Sequence, residues 1–447
     1  MRSRLVPVAA VTPVLAWIVG LAASAQLFGR LRAADPGSSR GARLAESLVA
    51  GWVIGGATML VLAACGSPLG PAAAMAPLAI ALAVELLRRR GRRSITAVAA
   101  PRAATLTWPS VALLCVAGLR LAAHLTRWPW DHPWSWDHYA VWGLKARFLV
   151  EPRGLWHYLS VASAYPFSHG EYPQLLPAHL ASVSWPAGDG RFGAVPDAVL
   201  ALAALVVLFE LWRRWLGSLA ASALILLLVW PAELWAGHLV GLADRPIALL
   251  AGIAASLALS GPSRSDLPLF ATALAGMGLL KNEGLPFALL LATAVLVRAR
   301  CQFAAAAAVA CGLAPVLAWH GLVWGVGLGS DRLVGFTVPA DPASAWLRFV
   351  RALAGFLAAP DLLVLALAMV IGGLAALIVR GSRIVAVAVV AQGLLVAVIT
   401  VYGPYDLGWQ LSTSLPRLVV GLIPAALACL AGSLANHEMG RPRFAVP

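Results

Sequence analysis

The residues best suited to chemistry lie in one aromatic and polar stretch, Trp128 to Gln174. Within it, Asp137 precedes Lys145 and Arg147, and Glu171 follows near the end. A carboxylate can accept a proton from a substrate hydroxyl, and a neighbouring cation can hold an anionic leaving group. In a chain that otherwise consists mostly of Ala, Leu and Val, this concentration of acids, cations and tryptophans predicts a catalytic or binding site.

The spacing at the start of this stretch favours a carboxylate–amine pair. On a helix lying along the membrane surface, Asp137, Ala140 and Leu144 share one face, and Lys145 lies close to that face. We therefore predict that Asp137 and Lys145 meet at the membrane boundary. The alternative is an amphipathic interfacial helix whose charges face water and whose tryptophans serve as anchors.

The end of the stretch places Glu171 and Tyr172 beside a proline. We predict that both bind substrate, and the alternative is a solvated turn. The stretch also contains side chains that bind divalent metal ions, but no two of them have the spacing of a motif such as HExxH. A metal cofactor is therefore compatible with the sequence but not required by it. The candidate ligands are His132, His138, His169, Asp137 and Glu171.

Three polar segments farther along the chain interrupt apolar sequence. Asp244 begins an apolar run, where an acid either caps a helix or lies beside a helix end that binds phosphate. Lys281 and Glu283 separate two apolar runs, either as a local ion pair or as functional groups at membrane depth. Arg417 begins the last run, either as a headgroup anchor or as the partner of a bound anion.

The composition indicates an integral membrane protein. Of the 447 residues, 61% are hydrophobic and 12% are charged, whereas soluble domains carry about 25% charged residues. The net charge of +14 comes from arginines clustered between apolar runs, which is the positive-inside pattern and argues against nucleic-acid binding. Only two of the basic residues are lysines, Lys145 and Lys281, so each of these positions is a candidate for a specific role.

The apolar runs predict an all-α transmembrane bundle of about 13 helices. The arginine clusters place the loop after the third span in the cytoplasm, and the long loop of about 126–192, with short interfacial helices, on the opposite face. All candidate site residues then lie on the non-cytoplasmic face. The predicted spans are 5–27, 45–65, 69–87, 108–126, 193–212, 217–236, 246–260, 266–280, 284–298, 303–325, 361–379, 383–402 and 416–434.

The first three predicted spans contain almost no polar residues. We therefore predict an accessory region over 1–94, which includes the basic cytoplasmic loop. A transmembrane core follows over 95–434, and residues 435–447 form a cytoplasmic tail.

Five motifs occur in order along the predicted core. They are Asp137-His138-Tyr139-Ala140-Val141-Trp142-Gly143-Leu144-Lys145-Ala146-Arg147, Glu171-Tyr172-Pro173, Ala243-Asp244-Arg245-Pro246, Lys281-Asn282-Glu283-Gly284 and Trp409-Gln410-Leu411-Ser412-Thr413-Ser414-Leu415-Pro416-Arg417. Together they resemble the polytopic C-type glycosyltransferases related to protein mannosyltransferases and aminoarabinose transferases. The resemblance covers residues of about 108 to 434. The chain departs from the commoner pattern of two neighbouring acids in the first loop, because Trp136 and His138 flank Asp137.

The resemblance implies an enzyme of the cell membrane that transfers a hexose or pentose from a polyprenyl-phosphate carrier to a lipid, glycan or protein acceptor on the non-cytoplasmic face. The general base of such an enzyme is an acid in the first outer loop, a role that falls on Asp137. The cations expected to hold the lipid phosphate are Lys145, Lys281 and Arg417, and the other substrate-binding residues are Arg147, Glu171, Tyr172, Asp244 and Glu283.

Physical chemistry is consistent with this expectation. Inverting glycosyl transfer needs a base for the acceptor hydroxyl and groups that stabilise the departing phosphate. A polyprenyl leaving group stays in the bilayer, so the site must lie at the membrane boundary. The alternative from another class is a transporter or flippase for a lipid-linked or anionic solute, which should place its charges near the bilayer midplane and show related halves. A third alternative is a non-catalytic assembly subunit.

Overall fold

The protein is described by a computed structural model that covers residues 8–31, 39–91, 106–126, 137–188, 190, 192–236, 239–299, 302–328, 337–379 and 382–438. Every regular element in these ranges is a helix, and none of them contains a β-strand. The all-α prediction is therefore confirmed.

The helices of the first half are α1 Val8–Leu31, α2 Arg40–Ala64, α3 Pro71–Ala74, α4 Ala76–Gly91, α5 Trp108–Leu125, a π-helix His138–Gly143, α6 Leu144–Leu149, α7 Gly154–Val161, α8 Leu175–Val183 and α9 Ala194–Val229. Those of the second half are α10 Ala232–Trp235, α11 Asp244–Ser260, α12 Leu267–Leu280, α13 Gly284–Arg298, α14 Phe303–Gly325, α15 Pro342–Leu357, α16 Pro360–Ile378, α17 Arg383–Tyr402, α18 Leu407–Trp409, a π-helix Gln410–Ser414, α19 Leu415–Val420 and α20 Ile423–Glu438.

Local sequence sets several helix starts. Ser39 caps α2 by accepting from the N–H of Ala42, and Asp341 caps α15 by accepting from the N–H of Ser344. Helices α5, α12 and α15 have a proline at one of their first two positions. The first N–H groups of a helix have no partner within it, so proline costs little there.

The described helices are those of a multi-pass membrane protein. Six of them, α1, α2, α5, α9, α14 and α17, are long and apolar enough to cross a bilayer, and counting α15 with α16 and α18 to α20 as bent spans raises the number to eight. The predicted count of about 13 is not confirmed. The predicted spans 193–212 and 217–236 correspond to the two parts of α9, which meet in a kink at the non-helical residue Gly217. Three further predicted spans are the shorter helices α11, α12 and α13, of 17, 14 and 15 residues.

The chain divides into two compact units. The first unit comprises residues 1–104, 133–206 and 240–242, and the second comprises 105–132, 207–239 and 243–447. The amino-terminal helices therefore share a unit with most of the predicted outer loop. The functional division into 1–94, 95–434 and 435–447 stays a prediction.

In the first unit, α1 packs along α2, and α8 packs against both. Trp52 stacks on the ring of His179 with centroids 4.0 Å apart, and Trp17 donates to Nδ1 of His179 at 2.9 Å. These contacts bury α8 completely. The segment that follows Asp137 therefore folds as short helices anchored on an apolar helical layer.

In the second unit, α11 is the central helix. Its residues are buried from Asp244 to Leu259, as expected for a helix that is apolar on all sides. It packs against α12 and α20, and α12 packs in turn against α13 and α14. This arrangement brings the polar ends of α11, α12 and α13 into the interior of the unit.

Candidate functional site

Two predicted site residues of the second unit, Lys281 and Arg417, contact the carboxylate of a third, Asp244. Lys281 Nζ lies 3.2 Å from Oδ1 of Asp244, and Arg417 donates to Oδ2 from Nε and Nη2 at 3.2 and 2.8 Å. Lys281 also lies 3.6 Å from Oε1 of Glu283. The side chains of Asp244 and Lys281 are buried. Removing one member of such a pair leaves an uncompensated charge in the interior, so each charge depends on the others.

Arg245 holds the start of α11 in place. Its guanidinium is fully buried and donates to the carbonyls of Leu234 at 2.9 Å and Ala236 at 3.1 Å. These bonds tie the end of α10 to the residue next to Asp244. The sequence analysis did not select Arg245 as a site residue, although its position inside an apolar run was a signal of the same kind as Lys281.

A glycine sets the turn that carries Lys281 and Glu283. Helix α12 ends at Leu280, and α13 begins at Gly284. A Cβ atom at position 284 would overlap the carbonyl oxygen of Met277. Only glycine allows the chain to reverse this tightly, and the tight turn brings Lys281 to Asp244.

The charged cluster lines one small cavity that is partly open to the outside. Gln392 of α17 also faces this cavity and donates from Nε2 to the carbonyl oxygen of Glu283 at 3.2 Å. The rest of the wall is mostly apolar, so the cavity fits a ligand with one charged end and one hydrocarbon part. The apolar lining residues are Ile247, Phe287, Val396, Leu418 and Leu422.

The cavity lies beside the middle of α17. Gln392 comes nine residues after Arg383, where α17 begins, and ten before Tyr402, where it ends. At about 1.5 Å per residue, α12 and α13 are each roughly 21 to 23 Å long, which is less than the ~30 Å of a bilayer core. The turn between these short helices therefore reaches the interior of a longer apolar helix rather than its end.

Lys145 of the first unit is enclosed by aromatic rings. Its Nζ lies 5.3 Å from the ring centroids of Trp142 and Tyr172 and 5.9 Å from that of Tyr158. It donates to the carbonyl oxygen of His169 at 2.8 Å. Burial lowers the pKa of Lys145 to about 7, although the neighbouring carboxylate of Glu171 acts in the opposite direction. The amine therefore changes its charge near neutral pH.

Asp137 does not form the predicted pair with Lys145. Asp137 is partly buried and immediately precedes the π-helix His138–Gly143, whereas the partners of Lys145 are His169, Glu171 and the three rings. The prediction assumed continuous α-helical spacing. A π-helical turn has hydrogen bonds from i to i+5, which rotates the following residues to another face.

Glu171 and Tyr172 are buried, so the alternative of a solvated turn is wrong. Only 4% of Glu171 and 2% of Tyr172 is exposed. His169 Nδ1 lies 3.8 Å from Oε1 of Glu171, and the His169 ring stacks on Tyr172 with centroids 4.7 Å apart. Arg147, by contrast, is exposed.

His138, next to Asp137, fits against a glycine at a sharp bend. Gly241 has φ +69°, and a Cβ atom there would lie 2.5 Å from the His138 ring. The Gly241 N–H donates to Oδ2 of Asp197, a buried acid in the first turn of α9, at 3.4 Å. The sequence analysis did not select Asp197, because an acid in a first turn usually serves only the helix dipole.

Among the described residues, no group of three or more His, Cys, Asp or Glu side chains could hold a metal ion. His132, one of the candidate metal ligands, lies outside the described residues. The second unit therefore contains a charged cavity, and the first unit contains a caged lysine.

Comparison of the chain with protein-family models, with curated proteins and with solved structures finds no match.

Proposed function

We propose that the protein is a membrane glycosyltransferase that moves a sugar from a polyprenyl-phosphate donor to an acceptor on the non-cytoplasmic face. The observation that carries this proposal is the convergence of Lys281 and Arg417 on Asp244 in a cavity with an apolar wall. A lipid phosphate has the matching chemistry, because it joins an anionic head to a hydrocarbon chain.

The charge balance of the cavity suits a departing phosphate. The ionised side chains of Asp244, Glu283, Lys281 and Arg417 sum to zero, and the amino termini of α11 and α13 add partial positive charge beside them. A bound phosphate diester supplies one negative charge, and a second develops as its bond to the sugar breaks. Cations already held in place by Asp244 stabilise that charge with little reorganisation.

Asp137 is the proposed general base. Its carboxylate takes the proton from an acceptor hydroxyl while the acceptor oxygen bonds to the anomeric carbon. The bond from that carbon to the phosphate oxygen breaks, and polyprenyl phosphate leaves. Arg147, Glu171 and Tyr172 are proposed to bind the acceptor or donor. Lys145 contacts aromatic rings and the His169 carbonyl. We therefore propose that it stabilises this segment and does not bind the phosphate.

The proposed topology counts the shorter helices α11 to α13 as spans and so retains about 13 crossings. In this topology the arginine-rich loops face the cytoplasm, and the segment after Asp137 lies on the opposite face.

A transporter or flippase of a lipid-linked anion is the second candidate. The observation that favours it is the position of the cavity beside the middle of α17, because transport sites lie near the bilayer midplane. Both candidates bind a lipid phosphate, and they differ in whether a sugar–phosphate bond breaks.

The test uses the purified protein in liposomes that contain labelled polyprenyl-phosphate hexoses and pentoses together with a membrane lipid extract as acceptor. Wild type should transfer label. Asp137→Asn should lose about 100-fold or more of the rate, as for loss of a general base, and Arg417→Ala should lose a similar factor. Glu151→Gln, at an exposed acid of the same unit, is the matched control and should keep the wild-type rate.

Two results would contradict the proposal. If folded wild type transfers no label but moves the labelled carrier between leaflets, the protein is a transporter. If Asp137→Asn transfers as fast as wild type, the assignment of the base is wrong.

A further inference from the structure

Gln392 has a buried acceptor atom that no described group satisfies. The side chain is 4% exposed, and its Oε1 has no hydrogen-bond partner. Buried side-chain oxygens are nearly always hydrogen-bonded in native proteins, so one without a partner in a cavity wall indicates a ligand group.

The orientation of the amide follows from its other end. Nε2 of Gln392 donates to the carbonyl oxygen of Glu283 at 3.2 Å, and a carbonyl oxygen requires a donor. The NH₂ group is therefore held against the turn between α12 and α13, and Oε1 is left as the acceptor. A ligand that pairs with it must present an O–H or N–H group.

The position of Gln392 further restricts the class of ligand that the cavity can bind. Lys281 and Arg417 line the same cavity and suit an anion, while Val396 and Leu418 contribute apolar wall. The ligand must therefore carry a hydrogen-bond donor close to an anionic group. A fully ionised hydrocarbon phosphate has no such donor, whereas a sugar joined to that phosphate carries hydroxyl groups beside it.

We propose that Gln392 accepts a hydrogen bond from a hydroxyl of the donor sugar and is a specificity-determining residue of the cavity. This inference rests on the proposed lipid-phosphate function and adds the group that distinguishes a sugar-bearing carrier from a bare one. A site built around a substrate hydroxyl discriminates strongly against analogues that lack it, because the protein group is then left buried and unpaired.

The experiment measures binding to the detergent-solubilised full chain. The ligands are farnesyl phosphate and farnesyl phosphate linked to glucose, to mannose or to arabinose. Wild type should bind at least one sugar-bearing compound more tightly than farnesyl phosphate. Gln392→Met keeps the side-chain length but removes the amide. It should lower the affinity for that compound about tenfold, the scale of one hydrogen bond, and leave the affinity for farnesyl phosphate unchanged.

Retained farnesyl phosphate binding shows that Gln392→Met is folded. If that variant does not fold, Gln392→Asn replaces it and should show the same selective loss, because its shorter side chain withdraws the acceptor. Thr400→Val is the matched control and should bind as wild type. Thr400 is buried on the same helix, does not line the cavity, and donates to Val396 of its own helix.

The outcomes separate the inference from the function on which it rests. If wild type binds none of the four compounds, the lipid-phosphate function fails and the inference fails with it. If wild type binds them but prefers no sugar, or if Gln392→Met weakens all four equally or none, only the assignment of Gln392 is overturned.

Discussion

The only two lysines of the chain, Lys145 and Lys281, occupy opposite environments in the two units. Lys281 lies between two carboxylates, 3.2 Å from Asp244 and 3.6 Å from Glu283. Lys145 is equally buried, but its amine faces three rings and a backbone carbonyl. At Lys145, burial disfavours the charged form and outweighs the opposing effect of the Glu171 carboxylate.

The difference teaches that burial alone does not define a lysine's role. A cation held by carboxylates keeps its charge and suits electrostatic binding of an anion. An amine with a pKa of about 7 is charged only part of the time under neutral conditions. The ion pairs of the second unit are therefore suited to electrostatic binding of an anion, and the ring cage of the first unit is suited to a hydrogen bond whose strength depends on pH.

The largest loss of stability should come from removing the carboxylate of Asp244, which Lys281 and Arg417 share. Asp244→Asn leaves Lys281 and Arg417 buried without their common anion, and loss of one partner of a buried pair costs about 3–5 kcal/mol. We expect a free energy of unfolding in detergent lower by that amount. The control is Asp341→Asn, at the cap of α15, which should change little because Asn and Asp cap equally well. Equal stability of Asp244→Asn and wild type would contradict the account of the ion pairs.

Replacing each of the two lysines by methionine should change the free energy of unfolding at pH 8 by different amounts. Lys281→Met leaves Asp244 without one of its cations and should cost about 3 kcal/mol. Lys145→Met removes one hydrogen bond to a backbone carbonyl, about 1 kcal/mol. It also removes a buried amine whose folded pKa of about 7 lies below its ordinary 10.5, which lowers the stability of wild type at pH 8 by more than that bond contributes. We therefore expect Lys145→Met to be at least as stable as wild type. Each variant is the control of the other in the same unfolding experiment. If Lys145→Met is the more destabilising, the contrast between the two sites is wrong.

The sequence analysis selected Asp244, Lys281 and Arg417 without predicting that they contact one another, and it paired Lys145 with a residue that is not among its contacts. Lys281 and Arg417 are ionisable residues next to apolar runs, where an unpaired charge is so costly that partners are required. The partners of Lys145 depended instead on a π-helical turn, which residue spacing does not reveal. Gln392 was missed because a single glutamine in an apolar span does not indicate what it faces.

The predicted count of about 13 spans is not confirmed, for a related reason. Apolar content identifies a helix that can lie in a bilayer, but whether it crosses depends on where its ends pack. The predicted spans over 266–280 and 284–298 correspond to α12 and α13, and their joining turn contacts the middle of α17. Only the tertiary contact with Gln392 shows this.

Lys145 should also give the stability of the protein a pH dependence. The unfolded lysine keeps its ordinary pKa of 10.5, whereas the folded one has a pKa of about 7. Between these values the unfolded state binds more protons, so the free energy of unfolding rises with pH by up to about 1.4 kcal/mol per pH unit and then levels off. The measurement is the difference between wild type and Lys145→Met from pH 6 to 9. A difference that is constant over this range would contradict the caged-amine description.

The smallest loss of stability should come from an exposed contact between a glutamate and a histidine in the same unit as Lys145. Glu151 and His157 lie 3.7 Å apart, and their side chains are 59% and 56% exposed. Water and salt screen such a pair, so Glu151→Gln should change the free energy of unfolding by less than about 0.5 kcal/mol. The measurement is denaturant unfolding at low and high salt. A loss of stability as large as that of Asp244→Asn would mean that the number of charged contacts, rather than their burial, governs stability. The contrast between the two lysines would then have no physical basis.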